Sequence, residues 1–199
     1  GCMLAPAYPR AVVAGNVETS QHVTSALFGA LGAMANSQGT MNNLTFGNDT
    51  YQYYETICSG SPAGRTNSGR GFNGTDGVHV HMTNSRLTDP EVLELRFPVL
   101  LEDFSLVKGS GGRGVFHAGD GTHRRLRFLE AMDCSILSSH RARAPLGIAG
   151  GGAGLPGRTL VHRRDGRDEA LDACAQTHLE AGEAITVITP TSGGYGAGT

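Results

Sequence analysis

The sequence predicts an α+β fold, rich in β, with one long N-terminal helix, a short helix near residues 90–97 and about eight short strands. Three observations carry this. Val23, Leu27, Ala30, Leu31 and Met34 recur at helical spacing. Beyond residue 50, short apolar or alternating runs are punctuated by Gly, Pro, Asn and Asp, as strands joined by turns are. Strand-sized and helix-sized segments do not alternate along the chain, so a doubly wound parallel sheet is not expected.

The chain of 199 residues is long enough for one domain with a substantial core, and 1–199 reads as a single unit. Charged residues make up 17%, below the roughly 25% usual for soluble domains. Gly occurs 30 times, about twice its usual share. Low charge with abundant Gly predicts many tight turns, or surface that something else covers. A formal net charge of −2 supplies no general field for nucleic acid. The local clusters Arg124, Arg125, Arg127 and Arg163, Arg164, Arg167 are diluted by Glu130, Asp165 and Asp168. Cys2, Cys58, Cys134 and Cys174 show no C-x-x-C spacing, so reduced thiols of a cytoplasmic protein are expected. No apolar run approaches the ~20 residues of a membrane span. The opening Gly1-Cys2-Met3 has neither a leading Met nor a signal pattern, which suggests a piece of a longer polypeptide.

Residues 1–14 read as extended, with Pro6 and Pro9 opposing a helix. Asn16 is a candidate N-cap, with Glu18 in the first turn, and the helix is expected to run from Asn16 to Asn36. Ala26, Gly29 and Ala33 form a small-residue stripe beside the large apolar one, so the helix is expected to be packed on two sides, with Gly29 against another backbone. Gly39 stands where a terminator is expected. Residues 39–50 are Asn-rich and read as a loop, or as a site wall supplying amide donors. Tyr51, Tyr53, Glu55 and Ile57 suggest a strand, and residues 59–71 a long loop.

Val92 to Phe97 continues a short helix that Pro98 stops, and Leu100 to Val107 reads as a buried strand. Gly109-Ser110-Gly111-Gly112 lacks the Gly-Lys-Ser/Thr of a phosphate loop, so a hairpin connection is expected instead. Further strands are expected at Val115–Phe116, Arg124–Phe128, Cys134–Leu137, Thr159–Arg163 and Ala184–Ile188. Residues 147–157 must be irregular, and the Gly-rich tail from Ser192 to Gly196 reads as a disordered terminus on composition alone.

The stretch from Gly74 to Glu91 carries the most chemistry. Val78, Val80 and Met82 alternate with His79, His81 and Thr83, which predicts a strand with one apolar and one polar face. The two imidazoles would then share a side, their Cα atoms roughly 7 Å apart. Such a pair can transfer protons, bind substrate, contribute to a metal site with Asp76 or Asp89, or be a packed polar face. Asp76, His79 and His81 are the catalytic candidates; Thr83, Asn84, Arg86 and Asp89 are the substrate-binding candidates. Arg86 could clamp a carboxylate or pair with Asp89 or Glu91, and Asp89 is most simply the cap of the helix that Pro90 begins.

The run GTDGVHVHMTNSRLTDPE from Gly74 to Glu91 resembles the hydantoinase B / 5-oxoprolinase family in its C-terminal part. So, in the family's order, do Ala14-Gly15-Asn16-Val17-Glu18-Thr19-Ser20-Gln21, Ser37-Gln38-Gly39-Thr40-Met41-Asn42-Asn43, Gly109-Ser110-Gly111-Gly112 and Leu146-Gly147-Ile148-Ala149-Gly150-Gly151, together with the Gly-rich tail. The resemblance implies the C-terminal domain of an ATP-dependent cyclic-amide hydrolase, opening 5-oxoproline or a hydantoin. It also implies that this chain binds no cofactor, and that ATP and Mg sit on a hydantoinase A-like subunit or domain. The implied partners are that subunit, the N-terminal part of the same subunit and the small cyclic amide, with neither nucleic acid nor membrane. In metal-holding relatives the His and Asp ligands lie in the N-terminal part, so no metal is expected here. A subunit of an ATP-dependent acetone or acetophenone carboxylase, or an assembly module buttressing the catalytic part, are the alternatives.

Overall fold

The computed structural model describes residues 2, 4–12 and 15–198; Gly1, Met3, Val13, Ala14 and Thr199, and the extended reading placed on the first four of these, lie outside the described residues. A π-helical turn at Gly15–Thr19 leads into helix α1 (Ser20–Ala30). Strands β1 (Asn43–Gly47), β2 (Gln52–Thr56), β3 (Gly64–Arg65) and β4 (Gly71–Phe72) follow. Then come helix α2 (Pro90–Arg96) and strands β5 (Val99–Val107), β6 (Gly121–Phe128) and β7 (Met132–Leu137). Strands β8 (Arg158–His162), β9 (Asp168–Leu171), β10 (Cys174–Leu179) and β11 (Ala184–Ile188) complete the chain. The fold is α+β and rich in β, as expected; its eleven described strands, three more than expected, pair antiparallel.

Two sheets enclose the core. One has the order β10-β7-β1-β2, the other β5-β6-β11-β8-β9, and β3 with β4 forms a small ribbon. Period-two burial along β6 and β7 points one set of side chains inward. Leu44, Phe46, Met132, Cys134, Ile136 and Leu179 from the first sheet join Val99, Leu126, Phe128, Val161, Ile185 and Val187 from the second in one cluster, closed by Leu93 of α2. Phe46 meets Phe128 edge to face across it, with ring centroids 5.2 Å apart. One ion pair crosses this apolar layer. Arg124 on β6 donates from Nε and Nη2 to Glu55 on β2 at 2.7 and 2.8 Å, and both side chains are 2% exposed. Burial of the β7 thiol of Cys134 pushes its pKa up to about 12, so it is packing, not chemistry.

Several expectations hold. The strands at residues 52–56, 99–107, 121–128, 132–137, 158–162 and 184–188 and the β5–β6 hairpin all form, but β5 is an edge strand of its sheet and not buried as expected: Leu100, Phe104 and Leu106 are exposed. Helix α2 begins at Pro90 behind an Asp89 cap and ends one residue short of Phe97 and Pro98.

Others are corrected. The first helix ends at Ala30, not Asn36. Gly32 (φ +64°) allows a left-handed turn in which Gly32 N–H donates to Gly29 O and Ala33 N–H to Phe28 O, a Schellman closure. Gly39, the expected terminator, bends a later segment. The Asn-rich stretch holds a strand, β1, and is mostly buried, its amides serving the fold: Asn42 Nδ2 donates to Gln38 Oε1 at 2.7 Å and to Ile57 O at 3.3 Å. Val115–Phe116 forms only a bridge from Phe116 to Tyr195, whereas β9 and β10 form where no strand was expected.

The tail is the largest correction. Residues 191–195 are buried, and Tyr195 bridges both Phe116 and Ile148. Asn36 O accepts from Gly193 N–H, Gly193 O from Ala63 N–H, and Ser192 O from Gly112 N–H. Glycine is required here: a Cβ on Gly193 would stand 2.2 Å from Leu146 O. The tail therefore clasps four loops together instead of fraying.

Helix α1 is inverted relative to its pattern. Gln21 (0% exposed) and Ser25 (8%) are the buried residues, whereas Leu27 (57%) and Leu31 (69%) are exposed. Gly29 does not meet another backbone; a Cβ there would touch only Asn36 Oδ1, at 3.8 Å. Phe28, Leu31, Ala33, Met34 and Phe72 line an open groove of about 500 Å³ beside the helix end.

Candidate functional site

The segment from Val78 to Thr83 is a tight turn, not a strand. Val78 makes a single bridge to Ser59, and the chain then reverses, with Thr83 N–H donating to Val80 O at 3.1 Å. The Thr83 hydroxyl closes this turn by donating to Val80 O at 2.6 Å and accepting from Val80 N–H at 3.1 Å. His81 stands inside the turn at φ +57°, a left-handed conformation that costs a non-glycine residue energy. The expected faces do not survive. Met82 is 58% exposed, while the imidazoles turn inward. A two-residue period misleads here because the Thr83 hydroxyl supplies local bonds that compete with a sheet ladder.

Both ring nitrogens of His79 and Nε2 of His81 are buried and make no hydrogen bond of normal geometry. Burial lowers the pKa of both rings, slightly offset for His79 by the Thr56 backbone, so each imidazole is neutral at pH 7. The His81 ring lies against Phe28 of α1 at 5.4 Å between centroids. Helix α1 also grips the turn. Gln21 Nε2 donates to Val80 O, and Gln21 Oε1 accepts from Met82 N–H, both at 3.1 Å.

Asp76 belongs to a second neighbourhood. It is exposed, accepts from Asp120 N–H at 2.8 Å and lies 4.0 Å from Lys108 Nζ. With Gly109, Gly111, Arg113, His117 and Asp120 it lines an open cavity of about 420 Å³. The Gly-rich loop curls around the Asp120 carboxylate, which accepts from Gly109 N–H at 2.9 Å and Gly111 N–H at 3.1 Å. Burial alone would raise the Asp120 pKa, but those N–H groups and Lys108 hold it below the usual carboxylate range. A loop shaped like a phosphate cradle is thus filled by the protein's own anion.

Of the substrate-binding candidates, Thr83 is 6% exposed and occupied in the turn. Asn84 and Arg86 are exposed, and Arg86 forms no ion pair among the described residues, so neither Asp89 nor Glu91 holds it. Asp89 Oδ1 accepts from Glu91 N–H at 3.0 Å as the cap of α2. Among the described residues no group of three or more His, Cys, Asp and Glu side chains could hold a metal. The basic clusters are neutralised locally: Arg125 and Arg127 share Glu102, and Arg163 bridges Glu169 and Glu183.

The hydantoinase B/oxoprolinase family model matches residues 1–198. The chain belongs to the hydantoinase B/oxoprolinase family. It is 48% identical over 197 residues to 5-oxoprolinase 1 of Arabidopsis thaliana, covering 99% of this chain and 15% of that protein. The chain thus spans about one-seventh of the length of that relative. Among solved structures, the ATP-dependent caprolactamase from Pseudomonas jessenii superposes with a TM-score of 0.67 at 25% identity, covering 82% of this chain and 30% of that one. A nucleotide-free acetone carboxylase structure gives 0.65 at 14% identity over 82% of this chain and 26% of that one, which shows a shared fold. The residues against the His81 turn that pattern reading missed are Gln21 and Phe28. Their signal was Gln21 closing the family-like run that begins at Ala14, and Gln21 with Ser25 forming a polar i, i+4 pair on the helix.

Proposed function

We propose that this chain is the C-terminal domain of an ATP-dependent cyclic-amide hydrolase of the 5-oxoprolinase type, with the His79–His81 turn serving the opening of the ring. The observation that supports this most is a pair of inward-turned, neutral imidazoles on a turn braced by α1, with Nε2 of His81 buried and without a hydrogen-bond partner. A buried polar atom without a partner is costly, and it is kept where a substrate or a transferred proton completes it. A neutral imidazole can accept a proton from attacking water and return it to the leaving ring nitrogen. Arg86, unpaired and exposed, is free to hold the carboxylate of a 5-oxoproline-like substrate, with Asn84 beside it. Asp76 stands in the separate open cavity with Asp120, beside Lys108, and has no step in the ring opening.

ATP and Mg belong, in this reading, to a hydantoinase A-like domain or subunit of the complete enzyme, and the compartment is the cytoplasm. No helix among the described residues is long and apolar enough to cross a membrane. The exposed face of α1 and its groove suit the preceding part of the same polypeptide, which would complete the substrate pocket. The carboxylase alternative has only the shared fold in its favour.

The test uses the full-length enzyme assayed for ATP-dependent hydrolysis of 5-oxoproline. His81→Ala is expected to lower kcat by about 100-fold or more while folding is retained. Equal turnover in variant and parent would return the imidazoles to a packing role.

A further inference from the structure

We infer that Gln21 is a positioning residue for the reaction: it sets the His81 imidazole by clamping the two peptide groups on either side of it. The proposal rests on the functional reading of His81 given above. Gln21 is fully buried on a helix whose Val23 and Leu27 are exposed, so α1 turns a polar face inward around this amide and Ser25. Its two bonds do not close the turn, because Thr83 already does that within the turn itself. Instead they reach 59 and 61 residues along the chain, to Val80 O and Met82 N–H.

His81 lies between those two groups in a left-handed conformation, so a small rotation of either peptide would swing the ring. Phe28, two helical turns along α1, supplies the surface on which the ring rests. One helix therefore fixes both the backbone and the plane of this imidazole. Its primary amide has separate donor and acceptor atoms, so it donates to one peptide and accepts from the next at once. Positioning of this kind matters because a displacement of about 1 Å at a reacting group can cost roughly 100-fold in rate.

The experiment compares parent, Gln21→Met, His81→Ala and the double variant in the full-length enzyme. Met matches Gln in length and volume and removes both bonds. Gln21→Met is expected to lower kcat by about tenfold or more with KM little changed, and to cause no further loss in the His81→Ala background. Gln21→Glu, which keeps the acceptor for Met82 N–H, is expected to fall between parent and Gln21→Met, and it serves in place of Gln21→Met if that variant does not fold. Acylation of histidines by diethylpyrocarbonate, read peptide by peptide, is expected to label His81 faster in Gln21→Met than in parent. Parent-like kcat in Gln21→Met, or an equal loss in both backgrounds, overturns the positioning role while leaving His81 as a catalytic group. Parent-like turnover in His81→Ala overturns the functional reading itself, and the proposal with it.

Discussion

At the scale of the residue, the histidines set a dependence of stability on acid. Burial lowers the pKa of His22, His79, His81 and His140 below the ordinary value of 6.5; for His140, the charges of His22 and Arg141 add to burial. The unfolded chain therefore binds protons below about pH 6.5 that the folded chain refuses. Their stabilisation is complete above that value and is lost as the pH falls toward the folded pKa values. His178, raised by its bond to Asp133, works in the opposite sense, but it is on the surface and screened. The melting temperature of the chain is expected to fall between about pH 7 and pH 5.5. Replacing His79 and His81 together by Gln should flatten part of that slope. An identical slope in that variant would show that the two rings are as free to charge as in the unfolded chain. Sequence pointed to His79 and His81 because two imidazoles one residue apart are rare chemistry. It could not show which way they face, because that depends on a hydroxyl at Thr83 and an amide at Gln21, both too ordinary in type to announce a turn.

At the scale of the element, strands were the legible part. Those at residues 52–56, 99–107, 121–128, 132–137, 158–162 and 184–188 were marked by apolar or β-branched runs between turn residues. Strands β1, β9 and β10 were missed because Asn43, Asp168, Glu169, Gln176 and His178 are poor strand formers that tertiary pairing overrides. Helix α1 was legible in existence and type, but not in orientation. Periodicity finds a stripe; it does not say whether this domain or another body covers it. The exposure of Val23, Leu27 and Leu31 gives a test of that point. Gly29 has open space around its missing Cβ, so Gly29→Ala should raise the unfolding free energy by up to about 1 kcal/mol through helix propensity. Chemical denaturation of the isolated chain measures this, and a loss of stability would mean that Gly29 is packed after all.

For the whole molecule, the α+β class could be read from the sequence, whereas the two-sheet arrangement could not, since strand order depends on pairings far apart in the chain. The tail was misread for the same reason. Its composition is that of a disordered end, yet its glycines are there because the backbones of four loops pass too close for any side chain. Gly193→Ala should therefore cost about 1–3 kcal/mol by overpacking against Leu146 O. In a domain of this size that lowers the melting temperature by roughly 2–10 °C, which a thermal scan resolves. An unchanged melting temperature would show that the clasp is not tight.

The clasp also bears on how the chain is made. Synthesis proceeds from the N-terminus at about 5–20 residues per second, and domains usually fold as they emerge. Here residues 191–196 hold the loops at 32–36, 60–63, 112–118 and 146–152 in register. A nascent chain still on the ribosome with those residues in the exit tunnel has both sheets within reach but no lock on its loops. Completion of the fold thus waits for nearly the last residue of this stretch to appear. A message cut before the codon for Thr191 would yield a polypeptide that contains every candidate site residue, yet is open to proteolysis.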